Sequence, residues 1–572
     1  MVRVRSPFYR PDALEYISKT PVAEVLLANI NDNNYDKTAL VDIENPSRTY
    51  SYRELINHSS ACAQNLFRRH GFVKGDTMAL YLENRPQTFF VVFGIYTLGG
   101  IYTGINPVAT VEEIRQQLVD SEAKFVVVNA RLLETFRKSI EGMTGIQAIF
   151  LYGQRPGAIQ EFVPAVFELD DLFSYHGVHT FKTQVPIDPE RDACGLFYSS
   201  GTTGKPKGVM LRHVSTSWFI EKRLSSPGPR QPTPEDRVLA INPLFHAYGF
   251  GNAIRALSNG ATLYILPKYT PTAMCEAIQK HQITMFSCVP PILVFLTKDT
   301  RPLQYDLSSI RVVGFGAAPT GQELIDAFCA RYPHVTHVTQ SYGMTEGGQM
   351  TAETQNISVT EQPLVAAVGK ISQGMEVKII STDGSGRELA EPNEIGEICK
   401  RGIGQMLCYK NRPEVTKETV DAQGWIHTGD IGYVTADGYL FVTDRIKDLI
   451  KYKGYQVAPA EIEDVIMTHP CVLEVGVAGV PNPNDENIGE FTTAFVVPNQ
   501  DQLNTLDQLK HEIVSLVASK CAPYKHLRGG VIIIQHLPKG PSGKILRRQL
   551  RNNRAAYIQD EIQLLKLSKS KL

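Results

Sequence analysis

The most specific signal in the chain is the stretch Tyr198-Ser-Ser-Gly-Thr-Thr-Gly-Lys-Pro-Lys-Gly208. Its small hydroxyl side chains and three glycines expose backbone N–H groups and leave room for a phosphate chain. Lys205 and Lys207 add positive charge to the same loop. The Walker A spacing GxxxxGK[ST] cannot be fitted from Gly201, so this is a different kind of loop. Residue chemistry alone leaves two interpretations open, a phosphate-binding loop and a flexible surface loop.

Short apolar runs flank this loop on both sides and are typical of buried strands. They are rich in Val, Ile and Phe and are bounded by Gly, Pro, Asn or Lys: Phe125–Val128, Ala261–Leu266, Ile283–Val289 and Arg311–Phe315. Helical patterns lie between them at Val111–Ser121 and Thr320–Arg331. This alternation predicts an α/β fold, with a large multi-layer α/β region over most of the chain.

Composition and charge exclude several classes of protein. The chain has 572 residues, which suggests roughly two to four domains at about 150 residues each. Lys and Arg number 58 and Asp and Glu number 59, and this net charge of −1 argues against binding nucleic acid through a global positive field. Hydrophobic residues at 43% exclude wholesale disorder. The nine cysteines form no CxxC pair and no metal-like cluster, which predicts reduced thiols in a soluble intracellular protein.

The apolar segment Phe89–Ile105 is uncharged and close to membrane-spanning length. It contains four glycines, lacks basic residues at its C-terminal end and runs into Asn106-Pro107. We therefore expect one buried, glycine-packed core helix here, and no transmembrane span.

Two terminal segments bear on targeting. The basic segment Met1–Phe8 is followed by polar and charged residues, so no secretory signal is predicted. Ser570-Lys571-Leu572 matches the SKL type of peroxisomal address that an import receptor reads. We expect a location in the peroxisomal matrix, and the alternative is an ordinary basic tail.

The pattern changes near Asp437-Gly438, which predicts a domain boundary. A turn and a strand at Tyr439–Thr443 lead into the charged run Asp444–Asp448. Beyond it lies a smaller α+β segment with helices and a strand at Pro459–Thr468, Leu506–Lys520 and Val531–Gln535. We predict an N-terminal domain over residues 1–443, a hinge at 444–447 and a C-terminal domain over 448–572.

Three further segments carry chemistry. Gln340–Gly347 (QSYGMTEG) follows the strand-like run His334–Val338, and its hydroxyls and the Glu346 carboxylate suit a hard cation beside phosphates. Gly424–Asp430 (GWIHTGD) places an acid at the end of a turn, where it could accept from the paired hydroxyls of a ribose. Leu537–Lys544 (LPKGPSGK) is a basic loop that presents a lysine to an anion or to water.

Five motifs, in this order, resemble those of the adenylate-forming superfamily. The likeness is greatest to acyl-CoA synthetases of the 4-coumarate–CoA ligase and firefly-luciferase-like branch, and it covers about residues 30–550. The motifs are YSSGTTGKPKGV (198–209), QSYGMTE (340–346), GWIHTGD (424–430), DRIKDLIKYKGYQVAPAEIE (444–463) and PKGPSGKI (538–545). The resemblance implies a large N-terminal domain, a small mobile C-terminal lid and an active site between them.

The resemblance also implies an ATP-dependent, AMP-forming acid–CoA ligase. Such an enzyme first condenses a carboxylic acid with MgATP into an acyl-adenylate and releases pyrophosphate. It then transfers the acyl group to the thiol of CoA. ATP, Mg²⁺ and CoA are therefore the expected cofactor, metal and co-substrate.

Motif by motif, the resemblance assigns roles at the nucleotide. Residues 202–207 would hold the β- and γ-phosphates, Glu346 would ligate magnesium, and Thr345 would lie near the α-phosphate. Tyr342 would stack on adenine, which residues 316–319 also wall, and Asp430 would take the ribose hydroxyls. The residues expected to bind nucleotide or CoA are Ser199, Ser200, Gly201, Thr202, Thr203, Gly204, Lys205, Lys207, Gly316, Ala317, Ala318, Pro319, Gln340, Ser341, Tyr342, Gly343, Met344, Thr345, Asp430, Arg445, Lys447, Gly454 and Tyr455.

Lys544 matches the family's catalytic lysine. Attack of a carboxylate on the α-phosphorus brings two anions together, and a positioned ammonium offsets that charge. Thioester formation needs a path for the thiol that this arrangement blocks, so a lid rotation is expected. Lys447 matches the hinge of the family, and Gly454 and Tyr455 match the surface that approaches CoA, although Gly454 could also be a simple turn glycine.

The acyl pocket of the family is lined by segments that are apolar, small and aromatic in this chain: Phe245–Gly249, Gly314–Ala318, Gly343-Met344 and Gly347-Gly348. Amino-acid-activating relatives usually place an Asp near the position of His246, so an amino-acid substrate is disfavoured. His246 either closes over the acyl carboxylate or simply lines the pocket. We expect an aromatic or a medium-to-long acyl chain, and the peroxisomal address adds weight to fatty acid metabolism.

Three alternatives remain on the same fold. A luciferase-like oxygenase would share the ATP motifs, but luciferases carry a second His where this chain has Ala247. A non-catalytic acyl- or nucleotide-binding protein would not need Lys544, Glu346 and Asp430. Loading of a carrier protein is a further option, although no carrier domain follows residue 550.

Overall fold

The structure is a computed structural model, and the described residues are 19–30, 35–154, 164–174, 183, 185–199, 206–224, 231–318, 320–352, 367–389, 391–453, 455–481, 489–499, 505–540 and 543–569. The first part of the chain forms α1 (Val22–Asn29), β1 (Thr38–Asp42), β2 (Thr49–Ser51), α2 (Tyr52–His70), β3 (Thr77–Tyr81), α3 (Gln87–Thr97), β4 (Ile101–Gly104), α4 (Val111–Ser121), β5 (Phe125–Asn129), α5 (Leu133–Ile140), β6 (Ala148–Tyr152), β7 (Ala165–Glu168) and β8 (Ala193–Ser199).

The middle of the chain forms β9 (Lys207–Arg212), α6 (His213–Leu224), β10 (Arg237–Ala240), α7 (Ala247–Ser258), β11 (Thr262–Ile265), α8 (Pro271–His281), β12 (Met285–Cys288), α9 (Pro290–Lys298), β13 (Val312–Phe315), α10 (Gln322–Arg331), β14 (His337–Gln340), β15 (Gly343–Met344), β16 (Gly348–Gln349) and β17 (Thr351–Ala352).

The last part forms β18 (Lys370–Ile371), β19 (Met375–Ile380), β20 (Glu388–Leu389), β21 (Gly396–Gly402), β22 (Cys408–Tyr409), α11 (Pro413–Thr419), β23 (Ile426–Val434), β24 (Leu440–Arg445), β25 (Ile450–Tyr452), β26 (Tyr455–Val457), α12 (Pro459–Met467), β27 (Val472–Pro481), β28 (Glu490–Pro498), α13 (Leu506–Lys520), β29 (Val531–Ile533), α14 (Arg547–Asn552) and α15 (Arg554–Lys569).

Two mostly parallel sheets form the body of the large domain. One has eight strands in the order β22-β9-β8-β4-β3-β5-β6-β7, and the other has seven in the order β14-β13-β12-β10-β11-β1-β2. The largest apolar cluster lies between them and is built around α2, α3 and α7. The multi-layer α/β prediction is confirmed, and the predicted strands are β5, β11, β12 and β13, with ends that differ by one to a few residues.

A third sheet carries the nucleotide motifs of the second half. It is antiparallel, with the order β20-β19-β21-β23-β24, and Asp430 on β23 stands opposite Arg445 on β24. Arg445 is therefore still part of a sheet, and residues 446–448 form the turn that follows. The predicted hinge at 444–447 thus begins inside β24, and the domain boundary itself stays a prediction.

The C-terminal part is a small α+β unit, as predicted. Strand β28 pairs with β27 antiparallel and with β29 parallel, and α12 and α13 cover this sheet. Its helices coincide with the predicted ones, since α12 covers Pro459–Met467 and α13 covers Leu506–Lys520. The apolar residues of this unit form clusters of their own, which gives it a core separate from that of the large domain.

The prediction of one helix over Phe89–Ile105 was wrong. The helix α3 ends at Thr97, and Ile101–Gly104 form strand β4 beside β3. The break falls at Gly99, whose φ of 66° is left-handed, and at Gly100, which lies against the ring of Phe72. The burial was predicted correctly, because every residue of α3 is buried.

Within the described ranges, no helix is both long and apolar enough to cross a bilayer. All nine cysteines lie in those ranges and are free thiols. One of them, Cys399, has a glutamate and a histidine beside it, which the sequence did not indicate.

Candidate active site

A cavity of about 3000 Å³ lies where the large domain meets the C-terminal unit. Its lining includes the acidic residues Glu346 and Asp430 of the large domain and Lys544 of the C-terminal unit. The cavity forms at this place because the motifs that line it either follow the ends of the parallel strands β13 and β14 or lie on the third sheet. In open α/β sheets, such strand ends are the usual place for a ligand.

The hairpin β8–β9 carries the predicted phosphate loop. Tyr198 pairs with Gly208 and Ser199 with Lys207, so the two strands stay paired up to these residues on either side of the predicted loop. The predicted residues Ser200, Gly201, Thr202, Thr203, Gly204 and Lys205 lie outside the described residues. The Tyr198 hydroxyl donates to Asp120 over 2.9 Å, which anchors the hairpin to α4.

Glu346 is held in place by two hydroxyl groups. Ser199 Oγ and Tyr409 OH both donate to Oε1 of Glu346 over 2.8 Å. The carboxylate is buried, and its second oxygen, Oε2, accepts no hydrogen bond from any of the described residues. This arrangement fits a carboxylate that offers one oxygen to a hard cation beside the phosphate loop.

Lys400 lies beneath the same turn and was not predicted as a site residue. Its ammonium is fully buried and donates to the backbone carbonyl of Gly347. Burial lowers the pKa of Lys400 to about 7, and the nearby Glu346 carboxylate opposes this shift. The only signal for Lys400 in the sequence was a lysine within strand β21, and its partner Gly347 lies far away in the chain.

Asp430, Tyr342 and Arg445 form a hydrogen-bonded group that lines the same cavity. Arg445 Nε donates to Asp430 Oδ1 over 2.8 Å, and the Tyr342 hydroxyl donates to Oδ2. Burial and the Asp430 charge raise the pKa of Tyr342 well above its usual value. Three residues that sequence reasoning assigned to adenine and ribose therefore do lie together.

The loops after β13 and β14 form a wall of the cavity. Ser341 N donates to Phe315 O over 3.0 Å, so the two strand ends stay adjacent. A Cβ on Gly316 would lie 2.8 Å from Ser341 O, which explains the small residue there. The predicted residues Ala317, Ala318, Gln340, Ser341, Gly343, Met344 and Thr345 line the cavity, and Pro319 lies outside the described residues.

His246 lines the cavity directly before α7. Its ring packs on Phe245 at 4.4 Å between centroids, and its Nε2 has no hydrogen-bond partner in the described part of the chain. Burial lowers the pKa of His246 to about 4, so the imidazole is neutral at neutral pH. Aromatic neighbours in the same lining are Trp218, Phe219, Phe245, Tyr248 and Phe250.

Lys544 reaches the cavity on a short loop of the C-terminal unit. The loop is closed by a bond from Gly540 N to Lys544 O of 2.8 Å and by bridging of Lys539 with Ile545. Desolvation in the cleft and the Arg445 guanidinium lower the pKa of Lys544, whereas Asp430 and Glu346 oppose this. Lys544 thus lines the same cavity as Glu346, Asp430 and Arg445.

Contacts between the two units fix this arrangement. Lys298 Nζ donates to the backbone carbonyls of Met467 at 3.0 Å and Val472 at 2.9 Å, both in the C-terminal unit. A Cβ on Gly543 would lie 3.3 Å from Val289, so the Lys544 loop rests directly on the start of α9. Sequence reasoning did not identify Lys298, because only its tertiary position makes it an interface residue.

The residues predicted for the hinge and for CoA are only partly in the cavity. Lys447 lies in the turn after β24 and lines the cavity, whereas Tyr455 lies outside the lining, is 54% exposed and stacks on Tyr524 at 4.5 Å. Gly454 lies outside the described residues. The structure thus brings Lys544 to the site and leaves the Tyr455 surface turned away.

Comparisons with known proteins identify this architecture. Residues 27–410 match the family described as "AMP-binding enzyme", and residues 461–544 match "AMP-binding enzyme C-terminal domain". 4-Coumarate–CoA ligase 3 of Oryza sativa subsp. japonica is 37% identical over 90% of this chain and 89% of its own. 4-Coumarate–CoA ligase 1 of Petroselinum crispum is 36% identical over 90% and 91%.

Solved structures give the same result. The anthranilate CoA ligase AuaEII in complex with anthranoyl-AMP superposes with a TM-score of 0.81 at 25% identity, covering 94% of this chain and 98% of that one. The o-succinylbenzoate CoA synthetase (MenE) of Bacillus subtilis, in complex with its acyl-adenylate intermediate, superposes with a TM-score of 0.74 at 27% identity over 93% and 98%.

Proposed function

The chain belongs to the AMP-binding enzyme family and is an adenylate-forming, ATP-dependent acid–CoA ligase like 4-coumarate–CoA ligase, and from this premise we propose that its substrate is an aromatic carboxylic acid whose carboxylate is its only charged group. The observation that carries this proposal is the set of aromatic side chains that α6, α7 and the segment just before α7 contribute to the cavity: Trp218, Phe219, Phe245, Tyr248 and Phe250. Flat aromatic acids gain offset-stacked and edge-to-face contacts in such a pocket. The relatives named for 4-coumarate and anthranilate support the same class.

A medium- or long-chain fatty acid is the second candidate. Ser570-Lys571-Leu572 favours it, since this tripeptide is of the type that directs enzymes to peroxisomes. We propose import into the peroxisomal matrix by the receptor for that signal. Imaging of the full chain and of a chain without residues 570–572, both tagged at the N-terminus, tests this. Peroxisomal puncta that persist in the shortened chain would contradict it.

In the proposed reaction, an oxygen of the substrate carboxylate attacks the α-phosphorus of ATP. The bond from that phosphorus to the bridging oxygen breaks, and pyrophosphate leaves with the electron pair. Lys544 holds an ammonium beside the α-phosphate and stabilises the charge that builds on its oxygens. Residues 202–207 hold the β- and γ-phosphates, and Thr345 lies near the α-phosphate.

Around the nucleoside, Asp430 accepts from the ribose hydroxyls, Arg445 keeps that carboxylate oriented, and Tyr342 contacts the adenine. Glu346 is the residue that would hold Mg²⁺, through the oxygen not engaged by Ser199 and Tyr409. When bound, Mg²⁺ supplies positive charge against the phosphates. The donor set fits this ion, because a hard cation prefers carboxylate oxygen.

In the second half-reaction, the CoA thiolate attacks the acyl carbonyl and AMP leaves. We propose that the C-terminal unit rotates about Lys447 before this step, so that Gly454 and Tyr455 approach the site. The outward position of Tyr455 supports this, because the arrangement with Lys544 at the site is the one that adenylation needs. His246, whose imidazole burial keeps neutral at neutral pH, lines the same cavity.

Pyrophosphate release over a panel of acids, with and without CoA, tests the substrate proposal. The panel contains benzoate, cinnamate, 4-coumarate, hexanoate, decanoate and palmitate. We expect kcat/KM at least tenfold higher for the best aromatic acid than for the best fatty acid. The reverse order would contradict the aromatic proposal and support the second candidate. Replacement of Phe219 by Leu should reduce only the aromatic preference, since it removes ring contacts and keeps an apolar wall.

A further inference from the structure

A group of metal-ligand side chains lies on the third sheet, behind the turn that carries Asp430. Glu397 and Cys399 belong to β21 and His427 to β23, and one ligand atom from each lies within 4.8 Å of the other two. Cys399 and His427 are paired across the two strands, with Glu397 two residues away on β21. A sheet therefore holds all three backbones, as a preorganised metal site requires.

The distances fit a small tetrahedral ion. Cys399 Sγ lies 3.6 Å from His427 Nδ1, and that nitrogen lies 3.1 Å from Glu397 Oε2. Zinc bonds of about 2.3 Å to sulfur and about 2.1 Å to nitrogen and oxygen give tetrahedral edges of about 3.6 and about 3.4 Å. Two edges are thus nearly in place, and the third, from Cys399 Sγ to a carboxylate oxygen of Glu397, is no longer than 4.8 Å.

The two ligand-residue atoms that would face away from the ion, Glu397 Oε1 and His427 Nε2, already have polar neighbours. Gly429 N donates to Glu397 Oε1 over 3.0 Å, which leaves Oε2 to face the group. His427 Nε2 lies 3.8 Å from the carboxylate of Asp421. A histidine that binds a metal through one nitrogen usually directs the other toward a carboxylate or a carbonyl.

Charge and access also suit a divalent cation. A thiolate, a carboxylate and a neutral imidazole together carry two negative charges, and Asp421 and Glu388 lie nearby, with Lys378 as the opposing cation. Cys399 is buried, while Glu397 and His427 line the large cavity, so an ion has a path from solvent. The group is distinct from Glu346, the residue proposed for Mg²⁺.

We propose that Glu397, Cys399 and His427 form a site for a divalent cation of the zinc class, with water as the fourth ligand. Binding replaces the thiol proton by the ion and releases that proton to solvent. Because Glu397 also holds the backbone of Gly429, an occupied site stiffens the turn that leads to Asp430. Ion binding at this site does not depend on which acid the enzyme activates.

Cobalt(II) titration of the reduced, metal-free full-length protein tests the proposal. We expect thiolate-to-cobalt charge-transfer absorption that saturates at one ion per chain. Cys399→Ser should abolish this absorption, and His427→Gln should weaken Co²⁺ binding at least tenfold. Cys408→Ser is the matched control, since this half-buried thiol lies on β22 of another sheet, and it should leave the titration unchanged.

X-ray absorption at the zinc edge of the unmodified protein gives a test that needs no variant. We expect one sulfur neighbour at about 2.3 Å and the remaining ligands at about 2.0–2.1 Å. Absence of a charge-transfer band, its survival in Cys399→Ser, its loss in Cys408→Ser or a zinc shell without sulfur would each overturn the proposal. Any of these results would show that Glu397, Cys399 and His427 do not form a site for an ion of the zinc class.

Discussion

The two halves of the active site are held in different ways. In the large domain, Glu346 and Asp430 are each fixed by two hydrogen bonds from neighbours in the same domain. Lys544 instead sits on a loop of the C-terminal unit, and its position depends on contacts between two separate cores. The proposed nucleotide site is therefore built in advance, whereas the Lys544 charge that we propose to promote adenylation reaches the site only when the two units meet.

The largest effect is expected at Lys544. Lys544→Ala removes the ammonium at the α-phosphate and should reduce adenylation by about a thousandfold, as loss of a key transition-state donor does. The large-domain half remains intact, so ATP binding and thioester formation from supplied acyl-adenylate should change little. Single-turnover assays of each half-reaction measure this.

Lys539→Ala provides the matched control for that experiment. Lys539 lies on the same loop but pairs with Glu474 at 2.6 Å, so its loss should cost less than tenfold. Equal loss of both half-reactions in Lys544→Ala would contradict a role confined to adenylation.

The stability of the large domain should also decrease in acid, because His213 is buried there. Burial lowers the pKa of His213 to about 4, and Val22 N donates to its Nδ1. The unfolded chain, with a pKa near 6.5, then binds the proton that the folded state excludes, so stability falls as pH decreases from about 6.5 to about 4. We expect a loss of about 2 kcal/mol from His213 between pH 7 and pH 5.

Hydrogen exchange of the full chain at pH 7 and pH 5 measures this effect by region. Protection should fall in the segments around α6, and His213→Asn should remove most of that loss, because Asn does not titrate. His469→Gln, in the C-terminal unit, is the control and should leave the acid response of α6 unchanged. An identical response in wild type and His213→Asn would contradict the assignment.

How far the sequence predicts this molecule depends on how local each feature is. Helix α4 was predicted with its correct ends, because its start is encoded nearby by the capping pair Thr110 and Glu113. The division of Phe89–Ile105 was missed, since helix α3 and strand β4 are both wholly buried and their hydrophobicity shows no period. The pattern alone could not separate a helix followed by a strand from one long helix.

The site residues also differ in how far the local sequence predicts them. Motifs located Glu346, Asp430 and Lys544, and the structure brings them together. Tyr409 and Lys298 were missed, because their roles come from strand pairing and domain contact between distant parts of the chain. The exact partners of a carboxylate are a tertiary property, and no spacing in the sequence reports them.

A smaller effect is expected at Tyr409, and it tests the part of the site that lies within the large domain. Tyr409→Phe removes one of the two hydrogen bonds to Glu346 and keeps the buried ring. A hydrogen bond to a charged group contributes about 1.5–3 kcal/mol, so the Mg²⁺ concentration for half-maximal adenylation should rise about tenfold. Magnesium titrations of pyrophosphate release measure it, and a fall in kcat at an unchanged Mg²⁺ requirement would contradict it.

The smallest effect is expected at Lys298, which tests the contact between the halves. Its ammonium bridges the large domain to the carbonyls of Met467 and Val472, and burial lowers its pKa. Lys298→Met keeps the apolar stem but loses both hydrogen bonds, each of net value about 1 kcal/mol. The arrangement with Lys544 at the site should become less populated, while no residue that touches substrate changes.

Adenylation by Lys298→Met should therefore fall about fivefold, which corresponds to about 1 kcal/mol. Thioester formation from supplied acyl-adenylate should stay the same or rise, because the lid leaves its first position more easily. Lys280→Met, an exposed lysine near the end of α8, is the control and should alter neither step. If Lys298→Met lowered both half-reactions equally, the bridge would support the general fold and not the position of Lys544. A loss of adenylation without an equal loss of thioester formation would show that the hydrogen bonds from Lys298 to the carbonyls of Met467 and Val472 stabilise the position of Lys544 at the site.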